Sequence, residues 1–372
     1  MKKLSVITAL LLCITLLVSC SGDSSAVVIS ASDTSSANIT ANMYNFWAST
    51  SKANFMNMYS DVEDSETFWQ SEYSEGLTYA DYLDAQTLED VKTTAVCMML
   101  YNEYRLALPD SAKQMIEDEI NDYITEYAGG NKSTLNSALS KYGANIDILR
   151  AIKTANAKRT LVFSYLYGEK GLNALTDSDF EQYYLNNYYR CQIIYINNKF
   201  EYVLDENGNH TTNTDGTPVT RALSDEKLAE KNAKIKAVND GIAAGRDFDE
   251  LYKEYAEGKD SIGVYTNGFY LTMGENYGDP VFYKLIADIN EIDVGNTTCV
   301  EYDEGTYIIK RLELDAGAWQ QTVNADFFAS FETLATNDAF RQFTREYFDK
   351  LTIDHTIISN YSIAKVNANS RF

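Results

Sequence analysis

Apolar residues recur at every third or fourth position through most of residues 39–170, and this period predicts a series of α-helices. The residues that carry it are Ile39, Met43, Phe46, Trp47, Leu88, Val91, Ala95, Met98, Ile116, Ile120, Ile124, Leu135, Leu139, Ile148, Leu149, Ile152 and Leu161. Pro109 is suited to open one of these helices, and Gly129-Gly130 to end it. Thr176 and Asp179 then match a capping box, so a further helix is expected to begin there.

The pattern changes at Tyr189, where β-branched and aromatic residues up to Ile196 predict a strand. A polar loop is expected from Asp205 to Thr220. Two helices follow, one closed by Gly245 and one capped by Asp247 and carrying Phe248, Leu251, Tyr252 and Tyr255. Strand-like segments lie near 264–271, 297–301 and 306–314, with a short helix after Pro280. The expected order of elements is therefore β-α-α-β-α-β-β.

The last part of the chain is again predicted to be helical. Phe340, Phe343, Tyr347 and Leu351 follow one another at helical spacing, and such an aromatic face needs a partner. The simplest solution packs it against the first helical segment. We therefore predict an α+β fold in which residues 39–187 and 316–372 form one helical domain, with a module of residues 188–315 inserted between them.

The first residues are typical of a secretory signal, because Lys2-Lys3 precedes an apolar run from Leu4 to Val18 that is too short to span a bilayer. The run ends in Leu17-Val18-Ser19-Cys20, which resembles the lipobox of bacterial lipoproteins. Residues 1–19 are predicted to be removed, Cys20 to receive a lipid, and residues 20–38 to form a flexible Ser-rich tether. The alternative is an ordinary secretory signal with an incidental cysteine. The predicted location is extracytoplasmic, with the lipid holding the chain at the membrane.

Charge excludes one class of partner. The chain has 54 Asp and Glu against 31 Lys and Arg, a formal net charge of −23. Such a surface disfavours binding to phosphate backbones, so nucleic acid is not an expected partner. Cys97, Cys191 and Cys299 remain once the signal is removed and Cys20 is lipidated, and an odd number cannot all pair. Their apolar neighbours predict buried free thiols, although the sequence leaves their redox state open.

The two histidines do not predict a metal site. His210 follows Asp205, Asn207 and Asn209 in a stretch that starts like a calcium loop, but it stands where that loop needs glycine, and Gly216 stands where it needs glutamate. His355 has no partner at metal-ligand spacing and is expected to be structural. We therefore expect no metal and no cofactor.

Four stretches of the chain carry short recognisable patterns: Leu139-Ser140-Lys141-Tyr142-Gly143 with Ile148-Leu149-Arg150, then Leu175 to Tyr184, then Gly245 to Leu251, and last Gly305 to Glu313. Together they resemble the secreted foldases of the PrsA and SurA type, in which a helical chaperone domain carries a parvulin-type prolyl isomerase domain. The first stretch resembles the helical region of these foldases, and the second resembles the start of their isomerase domain. The third resembles the parvulin "G-x-x-F-x-x-L" segment, and the fourth resembles its closing "G-x-H-I-I-K-x-x-E" strand. The resemblance implies a foldase whose partners are unfolded or nascent secreted polypeptides.

The sequence departs from the parvulin pattern where that family places its two histidines. Aligned on "S-H-I-L" and on the closing strand, these positions hold Gln192 and Tyr307, which the resemblance makes the candidate catalytic residues. A pocket cysteine or aspartate of the family falls near Gly258. Met273 and Phe282 lie where apolar peptide-binding residues are expected, with an ordinary core role as the alternative. Whether isomerase activity persists is open, because both side chains can still form hydrogen bonds.

The leading hypothesis is thus a membrane-anchored extracytoplasmic foldase with weak or lost isomerase activity. The alternative is the solute-binding lipoprotein of a transporter. That class needs lobes of alternating βαβ units, which the long helical start does not fit.

Replacing Cys20 by alanine is expected to abolish lipid attachment and to release or mislocalise the protein, because only Cys20 supplies the acceptor thiol. The measurement is labelling of cells with a radioactive fatty acid, with Cys299→Ala as the control that keeps its label. Undiminished label in Cys20→Ala would end the lipoprotein hypothesis.

Overall fold

The computed structural model describes residues 25–31, 34–58, 63–74, 76–214, 216–257, 268–275, 277 and 281–372. The predicted signal peptide, Cys20 and Gly258 lie outside these residues. The chain divides into two compact units, one made of Met1–Ala174 with Asp338–Phe372 and the other of Leu175–Asn337. We call them the terminal unit and the inserted unit. The boundaries predicted from the sequence, after residues 187 and 315, both fall inside the inserted unit.

The terminal unit begins with two strands and continues mainly as helices. Its elements are β1 (Val27–Ala31), β2 (Thr34–Thr40), α1 (Ala41–Met58), α2 (Glu66–Trp69), β3 (Glu72–Ser74), β4 (Leu77–Thr78), α3 (Tyr79–Glu103), α4 (Asp110–Asp122), α5 (Lys132–Leu139) and α6 (Ile146–Tyr167). Pro109 precedes α4 as predicted. In the described part of the chain, no helix has the length and apolar character needed to cross a membrane.

The inserted unit contains the predicted alternation of strands and helices. Its elements are α7 (Asp177–Asn187), β5 (Tyr188–Ile196), β6 (Phe200–Tyr202), β7 (Thr220–Ala222), α8 (Asp225–Ala243), α9 (Phe248–Tyr255), β8 (Phe269–Thr272), α10 (Val281–Asn290), β9 (Thr297–Tyr302) and β10 (Gly305–Leu312). The capping box of Thr176 and Asp179 is present, and the Asp247 side chain caps α9. The chain ends with α11 (Phe331–Arg345), β11 (Leu351–Ile353) and α12 (His355–Ile358).

A three-stranded antiparallel sheet of order β11-β1-β2 joins the two ends of the chain. Ile29 of β1 is opposite Ile353 of β11, and both Val28 and Ile29 are buried. The prediction of a tether over residues 20–38 was therefore wrong for the two strands. The many serines concealed a β-branched run whose partner lies at the other end of the sequence. Ile39 likewise belongs to β2 and not to the first helix.

The predicted aromatic face of the last helix packs inside the terminal unit. Phe340 of α11 is buried, with its ring centroid 5.0 Å from that of Phe163 and 5.9 Å from that of Tyr167 in α6. Phe343 also approaches Tyr167, at 6.1 Å. The expected helical periodicity stops before Leu351, which begins β11. The contacts between the two ends of the chain are therefore both aromatic packing and strand pairing.

A buried lysine fastens the C-terminal segment to the same core. Lys52 of α1 is fully enclosed, and its ammonium lies 2.7 Å from the Asp64 carboxylate and 2.9 Å from the Val366 carbonyl, to which it donates. The same ammonium lies 5.3 Å from the centre of the Trp69 ring. Because a buried charge needs such partners, this arrangement fixes the position of the segment that follows α12.

The main sheet of the inserted unit is four-stranded, with the order β8-β5-β10-β9. Every pairing in it is antiparallel, and its connections follow the β-α-α-β-α-β-β order predicted from the sequence. The predicted polar loop is partly ordered, because β6 pairs with β7 and bridges join Leu204 to His210 and Thr212 to Pro218. The strand pairs in the described residues are all antiparallel, which does not favour a solute-binding protein built from parallel βαβ lobes.

Replacing Phe340 by alanine is expected to lower the free energy of unfolding of the terminal unit by about 3–5 kcal/mol, because a buried aromatic ring is lost and its cavity cannot close fully. Urea unfolding followed by circular dichroism and tryptophan fluorescence measures this change. Met115→Ala is the control, since Met115 lies in the same unit and is 70% exposed, so its truncation should change the free energy by less than about 0.5 kcal/mol. Equal effects of the two substitutions would contradict the packing described.

Candidate functional site

The four-stranded sheet has two differently covered faces, since successive side chains of a strand point to opposite sides. One face carries Cys191 and Ile193 of β5 with Tyr307 and Ile309 of β10, and α10 packs on it. The other carries Ile194, Ile196 and Ile308 and packs against α8 and α9. We call these the α10 face and the α9 face.

Tyr307 lies on the α10 face within a cluster of three tyrosines. Its ring centroid is 4.9 Å from that of Tyr195 and 5.3 Å from that of Tyr302. The Tyr195 hydroxyl donates to the Glu304 carbonyl at 2.7 Å, and the Tyr302 hydroxyl donates to the Asp288 carboxylate. We call Tyr195, Tyr302 and Tyr307 the tyrosine cluster.

The phenols of Tyr195 and Tyr302 stay protonated at neutral pH. Burial is the main cause that raises the pKa of Tyr195 to about 12. Burial and the neighbouring Asp288 carboxylate also raise the pKa of Tyr302. A neutral phenol donates and accepts hydrogen bonds but does not serve as a strong base. The cluster therefore offers aromatic surface and neutral polar groups.

Gln192 lies on the opposite side of the sheet, on the α9 face. It is 5% exposed, as is Tyr307, and its side-chain amide donates to the Asp249 carboxylate of α9. The register explains the separation: Tyr307 is opposite Tyr195, whereas Gln192 is opposite Lys310. The structure therefore does not bring the two predicted catalytic residues together. Two side chains can act in one pocket of a sheet only from the same face, and Gln192 instead links a strand to a helix.

The two predicted peptide-binding residues have different environments. Phe282 of α10 is partly buried, packs on the same face as Tyr307, and stacks on the Tyr277 ring at 4.9 Å. Met273 is 59% exposed, in the turn after β8. The structure thus brings Phe282 and Tyr307 to one face and leaves Met273 at the surface.

Tyr277 is a residue of this face that the sequence analysis did not single out. Its hydroxyl accepts from the Thr272 amide at 2.8 Å and donates to the Thr272 carbonyl at 3.2 Å. Burial raises the pKa of Tyr277 to about 12, so it too is neutral. An aromatic residue just before Pro280 and α10 was the available signal, but without the register nothing distinguished it from the other tyrosines.

The described residues hold no group of three or more His, Cys, Asp or Glu placed to bind a metal ion. Cys97 and Cys191 are buried, as predicted, and burial raises the pKa of Cys97 to about 12 and that of Cys191 as well, which makes both thiols unreactive. Cys299 is exposed, so the expectation of burial was wrong there. It lies on β9, which is the edge strand of the sheet next to β10. Alternate side chains of β9 face solvent.

No protein-family model matches this sequence, and no curated protein matches it. Solved structures do match, among them the foldase protein PrsA from Streptococcus pneumoniae, at 14% identity and a TM-score of 0.23, over 78% of this chain and 97% of that chain. PrsA from Bacillus subtilis matches at 17% identity and a TM-score of 0.22, over 77% of this chain and 93% of that chain. The peptidylprolyl isomerase PrsA from Bacillus anthracis matches at 13% identity and a TM-score of 0.25, over 76% of this chain and 99% of that chain.

The solved structures that match this chain thus include PrsA foldases from several bacteria. Because these TM-scores are low, the site rests on the sheet register and the contacts described above.

Replacing Gln192 by alanine is expected to lower the free energy of unfolding by about 1–2 kcal/mol, because the partly buried Asp249 carboxylate loses a donor. The double variant Gln192→Ala with Asp249→Ala should lose less than the sum of the single variants, which a double-mutant cycle in urea measures. Strict additivity would show that the two side chains do not interact.

Proposed function

We propose that this chain is an extracytoplasmic foldase, anchored to the membrane through Cys20, that binds unfolded secreted polypeptides and has weak or no prolyl isomerase activity. The observation that carries the proposal is the antiparallel β8-β5-β10-β9 sheet with β-α-α-β-α-β-β connections. This unit lies between two chain segments that together form the other unit. That order of parts is the one implied by the resemblance to PrsA-type foldases.

The location follows from the sequence at the N-terminus. Two lysines, an apolar run and Leu17-Val18-Ser19-Cys20 support export followed by lipid attachment. Acyl chains contribute about 0.8 kcal/mol for each buried CH₂ group, so a lipid holds a water-soluble body at the bilayer surface. Clients would then be met as they emerge from the membrane.

Weak isomerase activity follows from what lines the α10 face. Rotation about an X-Pro bond has a barrier of about 18–20 kcal/mol, and lowering it needs an apolar site for the ring and polar groups that favour the twisted amide. Tyr195 and Tyr302 already donate their hydroxyls to Glu304 and Asp288. After Tyr195, the β5 residue nearest to Tyr307 on the same face is Ile193, whose side chain is apolar. The partly exposed rings of Tyr195, Phe282 and Tyr302 are the aromatic surface that a peptide can reach, while few polar groups remain to act on its amide.

Two readouts on the full chain in detergent test this function. Light scattering of a refolding client should fall when the chain is added, and cis/trans exchange of an X-Pro peptide should be at least about tenfold slower than with an active parvulin, a difference of about 1.4 kcal/mol in barrier. A chain that leaves client aggregation unchanged would contradict the foldase proposal. An exchange rate equal to that of an active parvulin would contradict the proposed loss of activity.

Paired substitutions give the matched control. Ile193→His with Tyr307→His places two histidines on the α10 face and should raise the exchange rate, whereas Gln192→His with Tyr307→His divides them between the two faces and should not. A gain in the second pair alone would show that the face assignment is wrong.

A further inference from the structure

The terminal unit contains a cleft of about 390 Å³ beside helix α6. Its lining includes Asn38, Met43, Met98, Ala151, Thr154 and Lys158. This volume is within the range of ligand sites in proteins, and the mixture of apolar walls with a few polar groups is also typical of such sites.

The shape of the cleft follows from one face of α6. Arg150, Ala151, Thr154 and Lys158 recur at helical spacing, so they lie along a single stripe. The short side chains of Ala151 and Thr154 leave room at its centre. Met43 and Met98, both less than 10% exposed, form the walls. Thioether side chains adapt to ligands of different shape, which suits a site that must accept many sequences.

Within the described residues, every Lys and Arg of α6 except one has a carboxylate partner. Arg150 pairs with Glu117 at 2.6 Å and with Asp147 at 2.8 Å. The other two cations of the helix also have carboxylate partners, Lys153 with Glu119 and Arg159 with Asp90. Lys158 has no carboxylate partner there, and its ammonium lies over the Tyr101 ring, 4.8 Å from the centre.

The environment of Lys158 favours an anionic ligand. Burial lowers the pKa of Lys158, because the ammonium has lost part of its hydration without gaining a counterion. A ligand carboxylate at the cleft would supply that counterion. The opposite end of the stripe, at Arg150, is already neutralised by two carboxylates. The positive charge that has no carboxylate partner therefore lies at one end of the cleft, the Lys158 end.

An edge strand of the terminal unit also lines the cleft, through Asn38. This residue belongs to β2, which is the terminal strand of the β11-β1-β2 sheet, so one backbone edge of β2 has no strand partner in the described part of the chain. An unpaired edge can hold an extended peptide through main-chain hydrogen bonds while a neighbouring pocket takes its side chains.

We propose that this cleft binds an extended apolar segment of a client polypeptide that carries one aspartate or glutamate, with the carboxylate at Lys158 and the apolar side chains against Met43 and Met98. The inference rests on the proposed foldase function and assigns its client site in the terminal unit. It also gives the site a direction, since the carboxylate must lie at the Lys158 end.

The test measures binding of two synthetic peptides to the full chain in detergent by fluorescence anisotropy. Both carry a neutral dye and alternate Leu with Ser, and they differ only in one central Glu or Gln. The Glu peptide is expected to bind about fivefold more tightly, the upper range for an ion pair that is partly exposed. Lys158→Gln should remove this difference, and Lys170→Gln, which replaces an exposed lysine that does not line the cleft, should retain it.

Thr154→Trp fills the cleft and should weaken both peptides by about tenfold or more, with folding checked by circular dichroism. If that variant does not fold, the loss of discrimination in Lys158→Gln decides the matter alone. Equal binding of the two peptides to the unmodified chain, or discrimination that survives Lys158→Gln, would overturn the proposal. Displacement of the Glu peptide by oleate at much lower concentration than by unlabelled peptide would also overturn it in favour of a fatty-acid site.

The two proposals fail in different ways. A chain that suppresses client aggregation but shows no dependence on Lys158 leaves the foldase function intact and removes the cleft from it. A chain that binds neither peptide and does not suppress aggregation contradicts the foldase function itself.

Discussion

The pairing of β1 with β11 is the constraint on which the rest of the architecture depends. It places Ile29 opposite Ile353, and closing a loop of roughly 320 residues costs about 5 kcal/mol of chain entropy. The inserted unit reduces this cost if it folds first, because it brings its own ends together. Phe180, near its start, has its ring centroid 5.8 Å from that of Phe331, near its end. The chain then has a much shorter effective loop to close, and buried side chains such as Val28, Ile29 and Phe340 compensate for the remainder.

Inside the inserted unit the register between β5 and β10 decides what chemistry is within reach. Tyr307 opposite Tyr195 produces a face of rings and neutral hydroxyls, while Gln192 opposite Lys310 assigns the amide to a helix contact. A shift of one residue would exchange these two sets of side chains. The same sheet can therefore keep its fold when side chains of its α10 face are replaced, because the α9 face supplies an independent core through Phe248 and Leu251.

The sequence was sufficient for elements whose signals are local. The capping box at Thr176, the cap at Asp247 and the β-branched strand from Tyr189 to Ile196 depend on neighbouring residues, and each is present. It was insufficient for β1 and for the faces of the sheet, where a distant strand decides the outcome. Strand β1 lies in a Ser-rich segment and is stabilised by residues at the other end of the chain, so composition indicated a tether. The site residues depend on a distant pairing for the same reason: alignment by motif assigned Gln192 and Tyr307 to equivalent roles, but only the pairing of the strands shows which face each side chain occupies.

The net charge of the chain and the uncharged phenols of its α10 face together determine which contacts its surface favours. With a net charge of −23, copies of this chain repel one another. The α10 face avoids this repulsion, because phenols such as Tyr195 and Tyr277, each with a pKa of about 12, carry no charge at neutral pH. Aromatic contacts of this kind accept many sequences, so they supply affinity without selection. An acidic peptide, in contrast, is repelled over most of such a surface and is attracted only beside a cation that has no carboxylate partner. In the proposed client site, Lys158 would therefore orient the client more than it adds affinity, since complementary charge mainly fixes register at an interface.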